Sequence, residues 1–332
     1  MLGPLGTFFG GIAALRVAAY RKGLFEVRRL HGPVVSVGNL SVGGSGKTPV
    51  VSLVATLLQA EGHGVSVLSR GYGGTFRGEC LVVSDGQAVL ATAREAGDEP
   101  LMLARALPGV VVAVGPRRDI VGRAIEHRFG PRVHVLDDGF QHLRLARALD
   151  IVCLDAADLS DRPLPAGRLR ERVGAARRAG ALLVGGLTGP DDSRYAMAEA
   201  LLGAERTFRL GREALGFFSA TGQPVPAPAR PFLLAAIARP ERFREDVRFA
   251  AGAVAGEALF RDHHVFSRAE LERVCDDAHS TGADVLVTTA KDIERLDVSA
   301  LRTPLVVFRS RAALDAPGRF GALLIDAVGR VA

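Results

Sequence analysis

The sequence predicts an α/β protein with a mostly parallel sheet, helices on both faces of that sheet, and a smaller α/β domain after it. Three observations support this class. A strand-like run breaks into a glycine-rich turn before a helix within residues 33–62, short apolar runs then alternate with helical patterns, and a second alternation follows a stretch rich in glycine and proline. Strands that alternate with helices imply crossover connections, which are typical of parallel sheets.

The first thirty residues combine apolar and basic side chains. An apolar stretch from Leu5 to Tyr20 is interrupted by Arg16, and a basic cluster follows it, made of Arg21, Lys22, Arg28 and Arg29. The stretch is too short and too charged to span a bilayer, and no small-residue cleavage site indicates a signal peptide. Residues 1–30 are therefore predicted to form either an interfacial helix on a membrane surface or a helix packed on the protein's own core.

Residues 37–49, VGNLSVGGSGKTP, resemble a phosphate-binding loop. Gly46, Lys47 and Thr48 fit the end of the pattern Gly-x4-Gly-Lys-Ser/Thr, whereas Ser41 replaces its first glycine. We expect Lys47 to bridge to a transferred phosphate and the Thr48 hydroxyl to ligate magnesium. The amides expected to bind the β-phosphate are those of Gly43, Gly44, Ser45, Gly46, Lys47 and Thr48. The alternative, an ordinary tight turn before a helix, explains neither the lysine nor the threonine.

Apolar runs beyond the loop extend the pattern. Runs at 64–71, 109–115, 132–139, 150–156 and 181–186 are predicted as buried strands, and Glu99–Leu107 and Arg118–Phe129 have helical spacing. Together with the loop they indicate a phosphate-loop NTPase-type domain over residues 31–212. Glycine and proline concentrate in residues 213–230, which are predicted as a hinge or linker. Residues 231–332 are predicted as the smaller domain, with the ligand in the cleft between the two domains.

Composition narrows the class of partner. Hydrophobic residues make up 48% and charged residues 23% of the 332 residues, a globular balance. The three cysteines are widely spaced, so they indicate neither a disulfide framework nor a metal cluster, and a reducing cytosol fits them best. The formal charge of +6 favours an anionic partner, yet tryptophan is absent and no nucleic-acid motif occurs. A membrane surface or a phosphorylated substrate is therefore expected rather than nucleic acid.

Several acidic residues and histidines are candidates for catalytic or metal-binding roles. Asp137 and Asp138 end an apolar strand, where phosphate-loop enzymes place the carboxylate that holds magnesium, although an acidic turn is the alternative. Asp98 precedes a predicted helix, so capping and catalysis are both open. His263 and His264 are interpreted as structural or solvated histidines, since no further ligand spacing supports a metal site.

The motifs taken together resemble a known family. NLSVGGSGKTP, LSRGYGG, GDEP, LDDGFQH, LPAGRLRE, FRDHHVFS and TTAKD occur in the order and approximate spacing of the tetraacyldisaccharide 4'-kinases, the lipid A kinases of Gram-negative bacteria. The resemblance runs from about residue 10 to the last strand. GDEP and DDGFQH are not general phosphate-loop features, and Ser41 in place of the first loop glycine also agrees with this family.

The resemblance implies a monotopic enzyme on the cytoplasmic face of the inner membrane. It would transfer the γ-phosphate of ATP to the 4'-hydroxyl of a tetraacylated glucosamine disaccharide 1-phosphate, with magnesium as cofactor. Lys47 would hold the β- and γ-phosphates, and Thr48 with Asp137 or Asp138 would position the metal. Nothing in the sequence calls for more than a monomer.

Further roles follow from the same resemblance. Asp98, in GDEP, would orient and deprotonate the acceptor hydroxyl, and His263 would pair with it across the cleft as the domains close. Gln141 and His142 would face the magnesium shell or cap the next helix. Phosphate contacts, or alternatively structural ion pairs, are expected of Arg70, Arg118, Arg168 and Arg170.

Two rival classes remain at this stage. A nucleotide-switch ATPase or GTPase has a similar loop, but its signature lysine precedes the glycine pair, where this chain has Val42. A soluble small-molecule kinase or ligase would not need the apolar segment from Leu5 to Tyr20. Cofractionation with membranes would separate a soluble enzyme from a membrane-bound one.

Overall fold

The computed structural model describes residues 3–42, 46–262 and 264–330, without the side chains of residues 3–9. The chain divides into two compact units. Unit 1 comprises Met1–Gly211 and Ala312–Ala332, and unit 2 comprises Arg212–Arg311. Both units combine helices with mostly parallel strands, so the predicted α/β class is confirmed.

Unit 1 is built on a sheet whose strands run in the order β8-β7-β6-β1-β5-β2-β4-β3. Its strands are β1 (Val34–Asn39), β2 (Val65–Ser69), β3 (Leu81–Ser84), β4 (Val111–Val114), β5 (Val133–Asp137), β6 (Leu149–Asp155), β7 (Ala181–Gly185) and the start of β8 (Thr207–Ser219). Neighbouring strands are parallel except at the β3 edge, which is antiparallel to β4. Since β1 and β5 are parallel neighbours, their carboxyl ends lie at the same edge of the sheet.

The helices of unit 1, apart from the first, pack apolar side chains against this sheet. They are α1 (Gly3–Arg21), α2 (Lys47–Ala60), α3 (Ala93–Ala96), α4 (Asp98–Ala106), α5 (Arg118–Phe129), α6 (Ser193–Leu202) and α9 (Pro317–Gly329). Helix α2 buries Val50, Val51, Val54 and Leu58 in the same cluster as β1 and β5, a spacing of one helical face. This packing fixes the start of α2 beside the carboxyl ends of those strands.

Unit 2 has its own parallel sheet and its own core. Its elements are β9 (Pro224–Val225), β10 (Pro231–Ala235), α7 (Pro240–Ala251), β11 (Gly256–Leu259), α8 (Arg268–Ser280), β12 (Val285–Thr289) and most of β13 (Leu305–Leu314). Its parallel strands run in the order β11-β10-β12-β13. Buried Asp292 accepts the amide of Ala236 at 3.0 Å and the hydroxyl of Thr289 at 2.8 Å, which ties the turn after β12 to β10.

The unit boundaries differ from the expected domain boundaries in two places. Residues 213–230 are not a plain linker, because β8 continues to Ser219 and pairs with β9. The middle of β8 is exposed, so its composition resembles that of a linker. Residues 312–332 belong to unit 1 rather than to the smaller domain, since Phe320, Leu324 and Val328 of α9 are buried in the unit 1 core.

Helix α1 makes a narrow contact and leaves much of its surface exposed. A Cβ on Gly10 would meet Pro163 and Arg172 at 3.5–3.6 Å, so this glycine marks where α1 approaches the rest of unit 1. Farther along, Ile12 is 52% and Leu15 is 72% exposed. These positions do not support the alternative of a helix packed on the core. Among the described residues, none forms a helix whose length and apolar character would let it cross a membrane.

Candidate active site

Two adjacent aspartates end strand β5 at the edge where α2 begins. Asp137 pairs in register with Val37 of β1, and Asp138 follows with a φ of 53°. This left-handed conformation is uncommon for residues other than glycine, although aspartate and asparagine adopt it more readily than most. A Cβ on Gly38 would lie 2.5 Å from the Cβ of Phe140, so glycine is required for the end of β1 to approach this turn. The local backbone thus places both carboxylates beside the strand that leads into the glycine-rich loop.

The two carboxylates have opposite electrostatic surroundings. Burial and the charge of Glu99 raise the pKa of Asp137 to about 6, although Ser69 donates a hydrogen bond to it at 2.9 Å. Burial also acts to raise the pKa of Asp138, but Lys47 and Arg170 outweigh it, and the pKa falls below its usual value. One carboxylate is therefore easily protonated and its neighbour is held ionised.

Two cations contact Asp138 directly. The Lys47 Nζ atom lies 3.4 Å from Oδ1, and an Arg170 guanidinium nitrogen donates to Oδ2 at 3.0 Å. Lys47 is the first residue of α2, and Gly46 precedes it in a left-handed conformation that glycine adopts without strain. The predicted loop lysine thus reaches the predicted acidic pair. Thr48 lies in the same first turn, whereas Gly43, Gly44 and Ser45 lie outside the described residues.

The polar oxygens at this edge suit a magnesium ion. Gln141 Oε1 and Asn39 Oδ1 are buried and have no hydrogen-bond partner, and the contact of Asp138 Oδ1 with Lys47 is long, at 3.4 Å. Oxygen atoms of carboxylates and amides are the ligands that magnesium prefers, and protein sites often supply only one or two carboxylates beside substrate phosphates. Within the described ranges, His, Cys, Asp and Glu side chains form no metal-binding group of three or more. The residues present therefore fit an ion that takes few protein ligands.

Gln141 is held in place by a chain of contacts that the sequence does not reveal. Its side-chain nitrogen donates to the carbonyl of Asn39 at 2.9 Å and to Glu171 at 3.3 Å. Buried Glu171 accepts two hydrogen bonds from Arg178, which also lies over the ring of Phe140 at 4.6 Å. With its nitrogen committed in this way, Gln141 turns its oxygen away from those partners. Glu171 lies in the LPAGRLRE motif, the one signal that could have identified it.

Asp98 is the first residue of helix α4 rather than the residue that precedes it, and Gly97 takes the N-cap position. Gly97 precedes it with a φ of 91°, and a Cβ there would lie 2.4 Å from the carbonyl oxygen of Tyr72. Asp98 itself is half-buried. Its neighbour Glu99 raises the pKa of Asp137, so the start of α4 lies near the acidic pair. Sequence reasoning missed Glu99 because its role comes from its charge across the fold.

The four predicted arginines separate into two groups. Arg118 is buried, and its pKa is lowered to about 10 by burial and by the charge of Arg70, against the opposing charges of Asp138 and Asp137. Arg70, Arg118 and Arg170 therefore belong to the charged environment of the acidic pair. Arg168 differs, since it forms ion pairs with two other aspartates, Asp158 and Asp161, as expected for a structural arginine.

Half-buried His142 shares this environment. Burial and Arg118 lower its pKa to about 3, so the ring is neutral, and its Nε2 atom has no hydrogen-bond partner. In unit 2, His264 stacks on Phe260 and contacts Glu270 at 3.2 Å, which matches the structural interpretation. His263 lies outside the described residues, and Asp262 beside it pairs with Lys291 at 2.9 Å.

A known protein family and several of its members match most of this chain. The family described as LpxK, tetraacyldisaccharide-1-P 4'-kinase, matches residues 1–328. This chain belongs to that family. A tetraacyldisaccharide 4'-kinase of Desulfotalea psychrophila is 38% identical, with 94% of this chain and 92% of the relative covered. One of Geobacter metallireducens is 42% identical, with 89% and 88% covered.

A solved structure of the same family has the same fold. It is described as the "apo" form of LpxK from Aquifex aeolicus in complex with ATP, and it has a TM-score of 0.79, 31% identity and 98% coverage of both chains. The chain is therefore a kinase with the phosphate-loop NTPase-type fold, as the sequence resemblance implied. Membership of this family also decides against the nucleotide-switch class.

Proposed function

We propose that this kinase transfers the γ-phosphate of ATP to the 4'-hydroxyl of a tetraacylated glucosamine disaccharide 1-phosphate at a membrane surface. The observation that carries the proposal is the approach of Lys47 and Arg170 to Asp138, beside Asp137, at the start of α2. Cations fixed at a helix N-terminus are suited to the charge that develops during phosphoryl transfer. Family membership supports the choice of acceptor.

Different residues around the end of β5 are proposed to bind the phosphates and the magnesium ion. Lys47 and the loop amides bind the β- and γ-phosphates, and the Lys47 ammonium exchanges its contact with Asp138 for phosphate oxygens. Thr48, Asp137, Asp138 and Gln141 are the residues that would hold magnesium. When bound, this ion neutralises charge on the phosphates. Arg70, Arg118 and Arg170 then contact phosphate groups of the nucleotide or the substrate's 1-phosphate.

Asp98 is the proposed general base. Its place in the first turn of α4, beside the acidic pair, suits a carboxylate that accepts the proton of the acceptor hydroxyl. His263 is proposed to pair with Asp98 and hold it in the orientation needed for proton transfer. Closure of the two units around both substrates would then exclude water and limit hydrolysis of ATP.

Helix α1 and the turn after it supply the proposed membrane contact. Exposed apolar side chains continue from Ile12 and Leu15 to Leu24 and Phe25, and basic residues lie among them. Arg28 does not belong to the free basic cluster, because it pairs with buried Asp119 at 3.1 Å. An acceptor with four acyl chains stays in the bilayer, so an enzyme acting on its headgroup works at the inner-membrane surface, on the cytoplasmic face where ATP is present.

A transfer assay tests the proposed reaction. Labelled γ-phosphate of ATP is offered with tetraacyldisaccharide 1-phosphate in detergent micelles to the intact chain, to Asp98→Ala, and to Asp191→Ala as an exposed control. We expect lipid labelling to fall about 10³-fold in Asp98→Ala while ATP binding persists, since general bases contribute about 10²–10⁴-fold. Hydrolysis of ATP by the intact chain without labelled lipid would reject the proposed acceptor and the proposed transfer.

Vesicle sedimentation tests the membrane contact. Deletion of residues 1–22, and the single change Leu15→Glu, are expected to release the protein from vesicles that contain anionic lipid. Leu15 is 72% exposed, so a charge there weakens insertion with little effect on folding. The control is Val89→Glu, an exposed apolar position outside the N-terminal segment. Full retention of the deletion variant would contradict the proposal.

A further inference from the structure

The serine at the first glycine position of the loop makes a contact that glycine cannot make. Ser41 is only 3% exposed, and its Oγ atom donates to Oδ2 of Asp158 at 2.9 Å. Asp158 is completely buried in the 3₁₀ helix Ala156–Ser160, which follows β6. Among the described non-glycine residues only Asp138 has a positive φ, so the backbone of Ser41 does not require glycine. The departure from the loop pattern therefore has a structural reason.

The buried carboxylate of Asp158 is compensated on both of its oxygens. Its Oδ1 atom accepts a hydrogen bond from an Arg168 guanidinium nitrogen at 3.1 Å. Its Oδ2 atom accepts the amide of Asp155 at 3.0 Å in addition to the Ser41 hydroxyl. Only the carboxylate of this ion pair is buried, since the Arg168 side chain is 45% exposed. Removal of a hydrogen-bond donor would leave the buried carboxylate less well compensated.

Backbone hydrogen bonds also join the residues on either side of Ser41 to the segment that contains Arg168. The amide of Arg170 donates to the carbonyl of Leu40 at 2.6 Å, and the amide of Val42 donates to the carbonyl of Arg168 at 2.9 Å. Residues 40–42, which lead into the predicted loop, are thus tied to residues 168–170 from both sides of Ser41. Arg168 anchors this ladder at Asp158, and the ladder also places Arg170, which contacts Asp138.

We propose that Asp158 is a positioning residue for nucleotide binding, which acts through Ser41 to fix the backbone that enters the phosphate-binding loop. This inference rests on the proposed function, because it assigns the loop to ATP. Loop amides bind phosphate only when the backbone presents them in a fixed arrangement. Asp158 is completely buried, so its effect is expected to reach the nucleotide through the Ser41 hydrogen bond.

The test measures ATP affinity and steady-state kinetics on the full chain. Ser41→Ala and Ser41→Gly remove the hydroxyl, and Ser41→Gly also restores the loop pattern. Both are expected to weaken ATP binding measured by calorimetry, and to raise the KM for ATP, by about tenfold, the effect of one lost hydrogen bond to a charged group. The KM for the lipid should stay unchanged. The matched control is Asp161→Asn, which removes the other carboxylate on Arg168 without touching Ser41.

A double-mutant cycle separates positioning from a structural role. If Ser41 and Asp158 act as one unit, the double variant Ser41→Ala with Asp158→Asn loses no more ATP affinity than Asp158→Asn alone. A lowered melting temperature with unchanged affinity for ATP would overturn the inference, as would additive losses in the cycle. If Asp158→Asn does not fold, wild-type affinity in both Ser41 variants still overturns it. Failure of the wild-type chain to bind ATP would instead reject the proposed function.

Discussion

The two ends of strand β5 place buried polar side chains in opposite situations. At the amino end, His134 is fully buried, with Ser66 Oγ 2.7 Å from Nδ1 and Glu126 Oε1 3.1 Å from Nε2. At the carboxyl end, Asp137 and Asp138 carry like charges side by side, and Asp138 has a positive φ. At the amino end both ring nitrogens of His134 have polar partners, whereas at the carboxyl end two carboxylates are adjacent and Asp138 has a left-handed backbone.

The difference shows how one strand can serve stability and chemistry at once. Both ring nitrogens of His134 have partners, and Glu126 also accepts the amide of Gly32 at 2.7 Å. Such contacts stabilise the fold, although the second carboxylate oxygen of Glu126 is buried without a hydrogen-bond partner. The sheet edge at the carboxyl end has the unpartnered oxygens of Asn39 and Gln141 beside the left-handed Asp138, and a bound cation can take these oxygens as ligands.

The largest effect is expected when the carboxyl end is changed. Asp138→Asn removes the charge that faces Lys47 and Arg170, and kcat is expected to fall about 10²–10³-fold, the usual loss when an electrostatic element of an active site is removed. The free energy of unfolding should change by less than about 1 kcal/mol, because asparagine tolerates a positive φ. Phosphate transfer and urea denaturation measure the two quantities. A loss of unfolding free energy as large as the activation free energy that corresponds to the fall in kcat would contradict the expected difference between the two ends.

The amino end should respond in the reverse way. Glu126→Ala leaves His134 and the Gly32 amide without their buried acceptor, so the free energy of unfolding is expected to fall by about 3 kcal/mol. The kcat and both KM values of the folded fraction should stay unchanged. The control is Glu272→Ala, which breaks an exposed ion pair with Arg268 and should cost no more than about 0.5 kcal/mol. A changed KM for ATP would show that this end is not purely structural.

A more gradual effect is a dependence on pH with opposite signs at the two ends. Burial raises the pKa of Asp137 from 3.8 to about 6, so its contribution to stability is present below pH 3.8 and lost as pH rises to 6. Burial acts to raise the pKa of Glu126, but hydrogen bonds from His134 and the Gly32 amide lower it from 4.5 to about 2. Its contribution is present above pH 4.5 and lost as pH falls to 2.

Denaturation by urea at a series of pH values, without nucleotide or metal, checks both signs. Asp137→Asn should remove the loss of stability between about pH 4 and 6, and Glu126→Gln should remove the loss below about pH 4.5. Each term changes the free energy of unfolding by at most about 1.4 kcal/mol per pH unit. Identical pH profiles for wild type and both variants would contradict the assigned pKa shifts.

Much of the fold could be predicted because its strands are short apolar runs with clear ends. Helix α5 has the predicted bounds, and β1, β5 and α2 differ from prediction by few residues. Strand β3 was not predicted, since it is a short antiparallel edge with only half of its residues buried. The pairing of β8 and the return of α9 to unit 1 depend on contacts distant in sequence, which local patterns do not record.

The candidate site was predictable where a motif has a fixed spacing. Lys47 and Asp138 come together as expected, because a loop after β1 and a turn after β5 share one sheet edge. Glu171 and Asp158 were not identified from the sequence, and Arg168 was left open between a phosphate contact and a structural ion pair, since the partner of an isolated charge depends on tertiary contacts. The resemblance identified LPAGRLRE as a motif, but only the structure shows which partner each of its charged residues has.

The interruption of unit 1 by unit 2 has a consequence for the order of synthesis. Helix α9 emerges from the ribosome after every residue of unit 2, yet its Phe320 packs edge-on against Phe208 at 5.4 Å in the unit 1 core. Unit 2 is therefore synthesised in full before unit 1 is, although unit 1 begins earlier in the chain. Until α9 arrives, the nascent kinase exposes the apolar surface that α9 will cover, a period in which chaperones have a binding site.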